Sequence, residues 1–167
     1  MSPALGIDSW RLERATDRDV DELMTWFDGE RSVGVWGGPN FRYPFDRTSF
    51  VEDCHLQDMA TFCLRSQEDL MCAFGQVYER NNRINLARLI AHPAMRGQGL
   101  GKRLVEMLMT IGADLFELNE FSLFVYRDNT PALECYRSLG FTVQEYPPDQ
   151  SMKDVCYYLT RPADLLD

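Results

Sequence analysis

The chain has 167 residues, a formal net charge of −9 at pH 7, 45% hydrophobic residues and 26% charged residues. This length and composition predict one globular domain over residues 1–167 and exclude an intrinsically disordered protein. The acidic balance speaks against nucleic acid as a partner, because phosphate contacts need a basic surface.

The chain predicts strands alternating with helices, without repeats or low-complexity segments. Period-2 patterns and β-branched residues predict strands at 10–15, 60–65, 71–79, 83–92, 121–126, 141–144 and 155–160. Helices are predicted from Thr16, as N-cap, to about Phe27, and over 48–57. Asn81-Asn82 is a hairpin signal between two of the strands.

An aromatic segment at 29–46 lies between the first two predicted helices and is rich in Gly and Pro, which predicts a loop. Exposed aromatic side chains beside glycines often line binding surfaces, although they can also plug the open end of a core. The candidate substrate residues are therefore Trp36, Phe41 and Tyr43.

The most informative segment runs from Leu89 to Gly101, where an apolar strand passes through a turn into three alternating glycines. An amphipathic helix follows at once, with apolar residues at Leu104, Val105, Leu108, Ile111 and Leu115. A helix N-terminus offers unpaired N–H groups, and glycines let phosphates approach the backbone closely. The segment therefore predicts a phosphate site.

Two common phosphate motifs are excluded by the spacing. A G-x-G-x-x-G fingerprint from Gly97 would need glycine where Lys102 stands. A P-loop would need glycine at Arg96 and Ser or Thr at Arg103.

A second motif follows the strand at 121–126. Residues 129–141 predict a short helix, with Thr130 as N-cap, Pro131 at the first helical position and Gly140 at the C-terminal stop. Asn129 and Tyr136 are seven residues apart, so they share one face of that helix.

The two motifs, Arg96-x-x-Gly99-x-Gly101 and Asn129-x-x-Ala132-x-x-x-Tyr136-x-x-x-Gly140, resemble the two signatures of the GNAT superfamily of acetyl-CoA-dependent N-acetyltransferases. The resemblance covers nearly the whole chain. It implies an α/β (α+β) fold, with a mixed central sheet of about seven strands flanked by about four helices.

The resemblance also implies a site for acetyl-CoA where the fourth and fifth strands splay apart. Leu89 and Ala91 would pair with the pantetheine arm, a backbone N–H would polarise the thioester, and Tyr136 would protonate the leaving thiolate. Asn129 would bond to the cofactor arm or position its turn. The implied cofactor-binding residues are Leu89, Ile90, Ala91, Arg96, Gly97, Gln98, Gly99, Leu100, Gly101, Lys102, Asn129, Ala132 and Tyr136.

The chain departs from some members of the family at the general base. Those members carry a glutamate on the fourth strand, but the comparable position here falls near Asn85, and residues 83–92 hold no carboxylate. Glu79 or His92 could act through water, although each is better explained as a solvated or structural residue.

The acceptor class stays open among three alternatives. Acidity favours a small cationic amine, a protein N-terminal or lysine amine is the second alternative, and a catalytically silent acyl-CoA-binding module is the third. Edge strands near the C-terminus could support a homodimer.

Five cysteines without a C-x-x-C pair and only two histidines are present. No apolar run reaches the roughly 20 residues that a bilayer requires, and the N-terminus lacks a signal-peptide pattern. We therefore expect a cytoplasmic protein with reduced thiols, no metal and no membrane partner.

Overall fold

The computed structural model describes residues 10–148 and 150–163. The N-terminal residues 1–9, on which the expectation of no signal peptide rests, lie outside this part of the chain. The seven strands are β1 (Arg11–Arg14), β2 (Ala60–Arg65), β3 (Met71–Arg80), β4 (Arg83–Ala91), β5 (Glu120–Tyr126), β6 (Thr142–Gln144) and β7 (Cys156–Pro162). The five helices are α1 (Asp17–Leu23), α2 (Glu30–Gly37), α3 (Arg47–Asp53), α4 (Leu100–Leu115) and α5 (Thr130–Ser138).

The strands form one mixed sheet in the order β1-β2-β3-β4-β5-β7-β6. β1 pairs with β2 in antiparallel fashion, β4 pairs with β5 in parallel, and β7 lies antiparallel to both β5 and β6. The predicted α/β fold class and the seven strands are therefore confirmed. None of the described helices is both long and apolar enough to cross a bilayer.

The chain divides into two compact units, and β3, β4 and α4 each contribute residues to both. The first unit holds residues 10–76 and 88–104 of the described chain, and the second holds residues 77–87 and 105–163. The expectation of one domain over 1–167 stays a prediction.

The first unit has a core of buried apolar side chains that includes Leu23, Val33, Phe50 and Phe74, each fully buried. α1 begins where the sequence predicts, because Thr16 accepts a hydrogen bond from the Asp19 N–H while the Asp19 carboxylate accepts from the Thr16 N–H. The predicted long helix from Thr16 ends earlier than expected, in a 3₁₀ turn at Met24–Trp26.

The predicted loop at 29–46 is wrong in its first half, because α2 occupies residues 30–37. Ser32 stabilises the start of this helix by accepting hydrogen bonds from the N–H groups of Asp28 and Gly29. Gly34 and Gly37 lower its intrinsic propensity, but Val33 is fully buried, and that burial outweighs the weak local signal. The described chain thus has five helices where the sequence predicts about four.

The hairpin signal at Asn81-Asn82 is confirmed. Both residues have positive φ angles, 53° and 61°, as a two-residue turn between antiparallel strands requires. This turn joins β3 to β4, the strand that leads into the glycine-rich segment.

Candidate active site

The glycine-rich segment of the first unit joins β4 to α4. Gly97 and Gly99 have φ angles of +83° and +76°, a left-handed backbone that favours glycine. The carbonyl of Gly99 accepts the first intrahelical bond of α4, from the Arg103 N–H at 3.2 Å, so Gly99 is the N-cap of that helix. The predicted helix start is confirmed.

The backbone of this segment is open to a ligand. A Cβ atom added at Gly97, Gly99 or Gly101 would meet no protein atom within 4 Å. In the described residues, the N–H groups from Gly97 to Lys102 have no hydrogen-bond acceptor. Six consecutive unpaired donors at the N-terminus of a 16-residue helix form a cradle that suits an anion.

Side-chain charge strengthens this preference for an anion. Arg96 and Lys102 are exposed and Arg103 is half-buried, and none of the three has a carboxylate within ion-pair distance in the part of the chain described. Leu100 points the other way and is buried, with 3% of its surface exposed, which anchors the first turn of α4. The residues present therefore fit a pyrophosphate.

His92 supports the turn that leads into the cradle. Its Nδ1 accepts a hydrogen bond from the Ala94 N–H at 3.0 Å, and its ring lies 5.0 Å from the Trp26 ring. Because Nδ1 is an acceptor, the neutral imidazole carries its proton on Nε2. If His92 acted as a base, Nδ1 would have to take up the proton and lose its hydrogen bond from the Ala94 N–H. The geometry therefore favours a structural role for His92.

The pairing of β4 with β5, seen here within the second unit, is short. It includes Ile84 with Phe121 and Asn85 with Ser122, and the described residues show no further pair. β5 nevertheless goes on pairing with β7 as far as Tyr126. The edge of β5 that pairs with β4 therefore has no strand partner beyond Ser122 in the described residues.

Asn85 lies near the position at which the resemblance places the glutamate of some family members. Its Oδ1 accepts a hydrogen bond from the Ser122 hydroxyl at 2.9 Å, and both residues are buried. The amide oxygen of Asn85 is thus already bonded, and an amide has no basic site for an amine proton. Glu79, the other base candidate, is exposed on β3.

α5, in the second unit, is capped by Asn129 and not by Thr130 as the sequence analysis predicts. The Asn129 Oδ1 accepts from the Ala132 N–H at 3.4 Å, so Thr130 becomes the first helical residue. The predicted stop is confirmed, because Gly140 has a φ of +95° and the Phe141 N–H bonds to the Tyr136 carbonyl at 3.1 Å.

Tyr136 is fixed by that C-terminal motif. Its ring lies 6.3 Å from the Phe141 ring at an interplanar angle of 65°, the apolar contact that commonly accompanies such a cap. Its hydroxyl has no hydrogen-bond partner in the described residues. Burial raises the pKa of Tyr136 above its ordinary value, so the phenol is protonated at neutral pH.

The candidate substrate residues of the first unit differ in exposure. Trp36 is half-buried in α2 and stacks on Phe50, with ring centroids 5.8 Å apart at 16°. Phe41 has 9% of its surface exposed and belongs to the core, which fits the packing alternative, whereas Tyr43 is 42% exposed. A substrate contact by any of the three stays a prediction.

The sequence analysis missed Arg88, a strand residue with a positive φ of 52°. Its carbonyl accepts the indole N–H of Trp36 at 2.8 Å, and its guanidinium reaches Gln76 Oε1 at 3.0 Å. The available signal was one arginine inside the apolar run from Leu86 to Ala91. A charge in such a run demands a compensating environment.

Comparison with known proteins assigns the family. A family model described as Acetyltransferase (GNAT) family matches residues 20–141. The chain belongs to the GNAT family. This confirms the resemblance that the sequence predicts, and acetyl-CoA is the donor that this family supports.

Relatives by sequence match this GNAT chain over short segments. An N-acetyltransferase 9-like protein of Nematostella vectensis is 39% identical over 54 residues, which is 32% of this chain and 27% of that protein. An uncharacterized N-acetyltransferase, YfmK, of Bacillus subtilis is 34% identical over 62 residues, 37% of this chain and 41% of that protein. The matches therefore span less than half the length of either relative.

Solved structures resemble this GNAT chain over nearly its full length. A spermidine N-acetyltransferase from Vibrio cholerae, in complex with CoA and spermine, has a TM-score of 0.75 at 14% identity, covering 94% of this chain and 97% of that one. The ribosomal-protein-S18-alanine N-acetyltransferase of Escherichia coli has a TM-score of 0.64 at 18% identity, covering 92% and 94%. At such identities the likeness establishes the fold.

Proposed function

We propose that this chain is an acetyl-CoA-dependent N-acetyltransferase whose acceptor is a small cationic amine. The observation that carries the proposal is the open cradle at the start of α4, with unpaired N–H groups from Gly97 to Lys102. Family membership supports the donor, and the net charge of −9 supports a cationic acceptor drawn to an acidic surface.

The donor would be held by its phosphates and its pantetheine arm. The cradle N–H groups and Arg96 would bind the pyrophosphate, and the backbone of Leu89 to Ala91 would pair with the arm as an added strand does. The bound thioester supplies an activated acetyl group. A backbone N–H aimed at its carbonyl would stabilise the charge that develops when the amine attacks.

Tyr136 would act as the general acid. Its hydroxyl is free of protein partners in the described chain, and its raised pKa keeps a proton available for the departing thiolate of CoA. The capped end of α5 holds the ring in one place, so the hydroxyl that would give up the proton is positioned before the reaction begins.

No carboxylate base is assigned, so the amine would enter as the free base. Asn85 is neutral and already bonded to Ser122, and His92 uses Nδ1 to hold its own turn. This observation favours a second candidate acceptor, the N-terminal α-amine of a protein. Its reference pKa of about 8 leaves far more free base at neutral pH than a side-chain amine near 10.

The first experiment is a thermal melt with acetyl-CoA, with free CoA and with ATP. At about 100 times the dissociation constant a ligand adds about 2.7 kcal/mol, which raises Tm by roughly 5–10 °C for a chain of this size. A rise with acetyl-CoA and CoA but not with ATP supports the donor class. No rise at millimolar acetyl-CoA overturns the proposal.

The second experiment identifies the acceptor class by release of free CoA thiol. Spermidine is compared with a short peptide that begins with alanine, each over a range of pH. Faster turnover of spermidine supports the small cationic amine, and faster turnover of the peptide supports the α-amine. Acetyl-CoA binding without turnover of any amine supports the third alternative, a silent acyl-CoA-binding module.

We further propose a cytoplasmic location and a homodimer. Cys54, Cys63, Cys72 and Cys156 are buried and form no disulfide bond, which suits a reducing compartment. β1 and β6 each bond to one neighbouring strand, so both edges of the sheet could extend into a second copy. A related fold, the Vibrio cholerae spermidine N-acetyltransferase, forms dodecamers. Sedimentation equilibrium measures the assembly state.

A further inference from the structure

Arg88 has an unusual environment within the first unit. It lies in β4 with a positive φ of 52°, a conformation that costs an arginine free energy and persists only when its surroundings hold it. Its backbone carbonyl turns toward α2 and accepts the Trp36 indole N–H at 2.8 Å. The backbone of this residue is therefore tied to the helix that carries Trp36.

The guanidinium of Arg88 donates hydrogen bonds to neutral groups of the described residues. One terminal nitrogen donates to Gln76 Oε1 at 3.0 Å and lies 3.6 Å from Met59 Sδ. The other donates to the carbonyls of Gly37 and Asp53, at 3.5 Å and 3.4 Å. No carboxylate of the described residues lies within ion-pair distance, and Nε is buried without a partner.

The two carbonyls explain how this charge is compensated. Gly37 is the last residue of α2, and Asp53 is the last residue of α3. A helix C-terminus carries unpaired carbonyls and about half a negative charge, so two such ends neutralise one cation. Because both terminal nitrogens already face protein acceptors, the group is arranged to hold helices together and not to bind a ligand.

We propose that Arg88 is a positioning residue that fixes the C-terminal ends of α2 and α3, and with them Trp36, against β4. The next residues of the same strand, Leu89 to Ala91, are the ones proposed to hold the pantetheine arm. The inference rests on the proposed function, since it assigns α2 and its neighbouring segment to the acceptor side of the reaction.

The test is the variant Arg88→Met, which keeps a long side chain and removes both the charge and the donors. Arg161→Met is the matched control, because Arg161 in the second unit also has a buried Nε without a partner among the described residues, and also contacts a thioether, that of Met109. Both variants lose a guanidinium whose Nε is buried, so a loss of general stability affects both.

With spermidine as acceptor, we expect Arg88→Met to raise KM for the amine by about 10- to 100-fold, since misplaced acceptor groups cost this much. The dissociation constant of acetyl-CoA stays within about threefold of the wild type, because the cradle is untouched. An unchanged amine KM overturns the proposal. An equal rise of the amine KM in Arg161→Met also overturns it. So does a loss of acetyl-CoA affinity in Arg88→Met that is as large as the rise of the amine KM.

Chemical rescue separates positioning from stability. In Arg88→Ala, millimolar guanidinium should bind between the helix ends and restore the amine KM, whereas it should do nothing for Arg161→Ala. Hydrogen exchange of peptides from α2 and α3 gives a readout without any acceptor. We expect faster exchange in Arg88→Ala and its reversal by guanidinium, and exchange that matches the wild type overturns the proposal.

The two proposals fail in different ways. If the wild type shows no thermal shift with acetyl-CoA, the assignment of the donor is wrong. The exchange experiment still tests whether Arg88 fixes the C-terminal ends of α2 and α3. If acetyl-CoA binds but the exchange of both helices is unaffected by loss of Arg88, the proposed function stands and the positioning role is wrong.

Discussion

Tyr136 combines a fixed ring with an unbonded hydroxyl. The turn at Gly140 bonds back to the Tyr136 carbonyl, and Phe141 packs against its ring, so the backbone and the ring are both held. The hydroxyl contributes no hydrogen bond to the described fold. Removing one oxygen atom here should therefore change chemistry without changing stability.

For Tyr136→Phe we predict that kcat falls by about 10²- to 10⁴-fold, the usual contribution of a positioned general acid. The dissociation constant of acetyl-CoA and the Tm should match the wild type, as measured by titration and by thermal melting. Tyr157→Phe, which removes a hydroxyl elsewhere in the second unit, is the control and should retain full activity. A Tyr136→Phe enzyme with normal kcat would show that another group protonates the thiolate.

At the scale of single residues, the sequence predicts which residue types end a helix better than it predicts hydrogen-bond partners. The sequence predicts the C-terminal cap at Gly140, because a residue in the left-handed conformation after a helix is usually glycine. Asn129 and Thr130 are both good cap residues, so local propensity does not separate them, and the actual cap depends on the turn that precedes α5. The partner of Asn85 lies 37 residues away and has no local signal.

α4 is the element on which the candidate site depends. Its first turn contains no acidic residue, although acidic residues at that end would stabilise a helix, and Lys102 lies there instead. A helix that accepts an unfavourable charge at its N-terminus is better suited to an anionic ligand than to its own stability. A change of charge at this helix start should therefore change the free energy of unfolding and the affinity for an anion in opposite directions.

For Lys102→Glu we predict that the free energy of unfolding rises by about 1 kcal/mol, since a negative charge replaces a positive one at the helix start. Acetyl-CoA affinity should fall about tenfold at low salt, with a smaller loss as salt screens the exposed charges. Urea unfolding and calorimetric titration measure the two effects.

The matched control is Lys153→Glu, since Lys102 and Lys153 are the two lysines of the chain. Lys153 is exposed in the second unit, so the same change in net charge occurs away from the cradle. An equal loss of affinity in both variants would mean that overall charge, and not the helix start, attracts the donor.

Among the elements, α2 shows where sequence patterns fail. Its eight residues include two glycines, its N-cap is a third, and short helices gain little from propensity. What stabilises it is tertiary: Val33 lies in the core, and Trp36 bonds to Arg88. The longer α4 shows the opposite case, because its apolar spacing alone predicts both its existence and its start.

The whole molecule is strongly acidic, yet one buried carboxylate contributes to its stability. Asp19 has 5% of its surface exposed. Burial by itself would raise its pKa, but the hydrogen bonds from the Thr16 N–H and from Arg65 outweigh this and lower it. A carboxylate with a lowered pKa stabilises the fold above its unfolded-chain pKa, and that contribution is lost as pH falls through the folded value.

For Asp19→Asn we therefore predict a loss of about 2 kcal/mol at pH 7, since Arg65 would lose the buried one of its two carboxylate partners and keep only the more exposed Glu13. The gap to the wild type should begin to narrow below about pH 4, where the carboxyl of the unfolded chain takes up its proton, and it should close as pH falls through the lowered pKa of the folded state. Urea midpoints between pH 3 and pH 7 measure this. Asp21→Asn, which removes an exposed partner of Arg47, should change stability by less than about 1 kcal/mol.

At this scale the sequence predicts most of the architecture. Strand periodicity and turn residues locate all seven strands to within a few residues, and two motifs in order are enough to indicate the family. The position of Arg88 against two helix ends is not predictable in this way, because it depends on contacts with residues 35 and 51 positions away.

The buried cysteines have a practical consequence for any assay of this chain. Burial raises the pKa of Cys54 to about 12 and also raises the pKa values of Cys63, Cys72 and Cys156. A thiol reacts as its thiolate, so these four groups are slow toward disulfide reagents and alkylating agents. When a colorimetric thiol reagent is used to follow the release of CoA during turnover, these four groups should therefore add little to the signal.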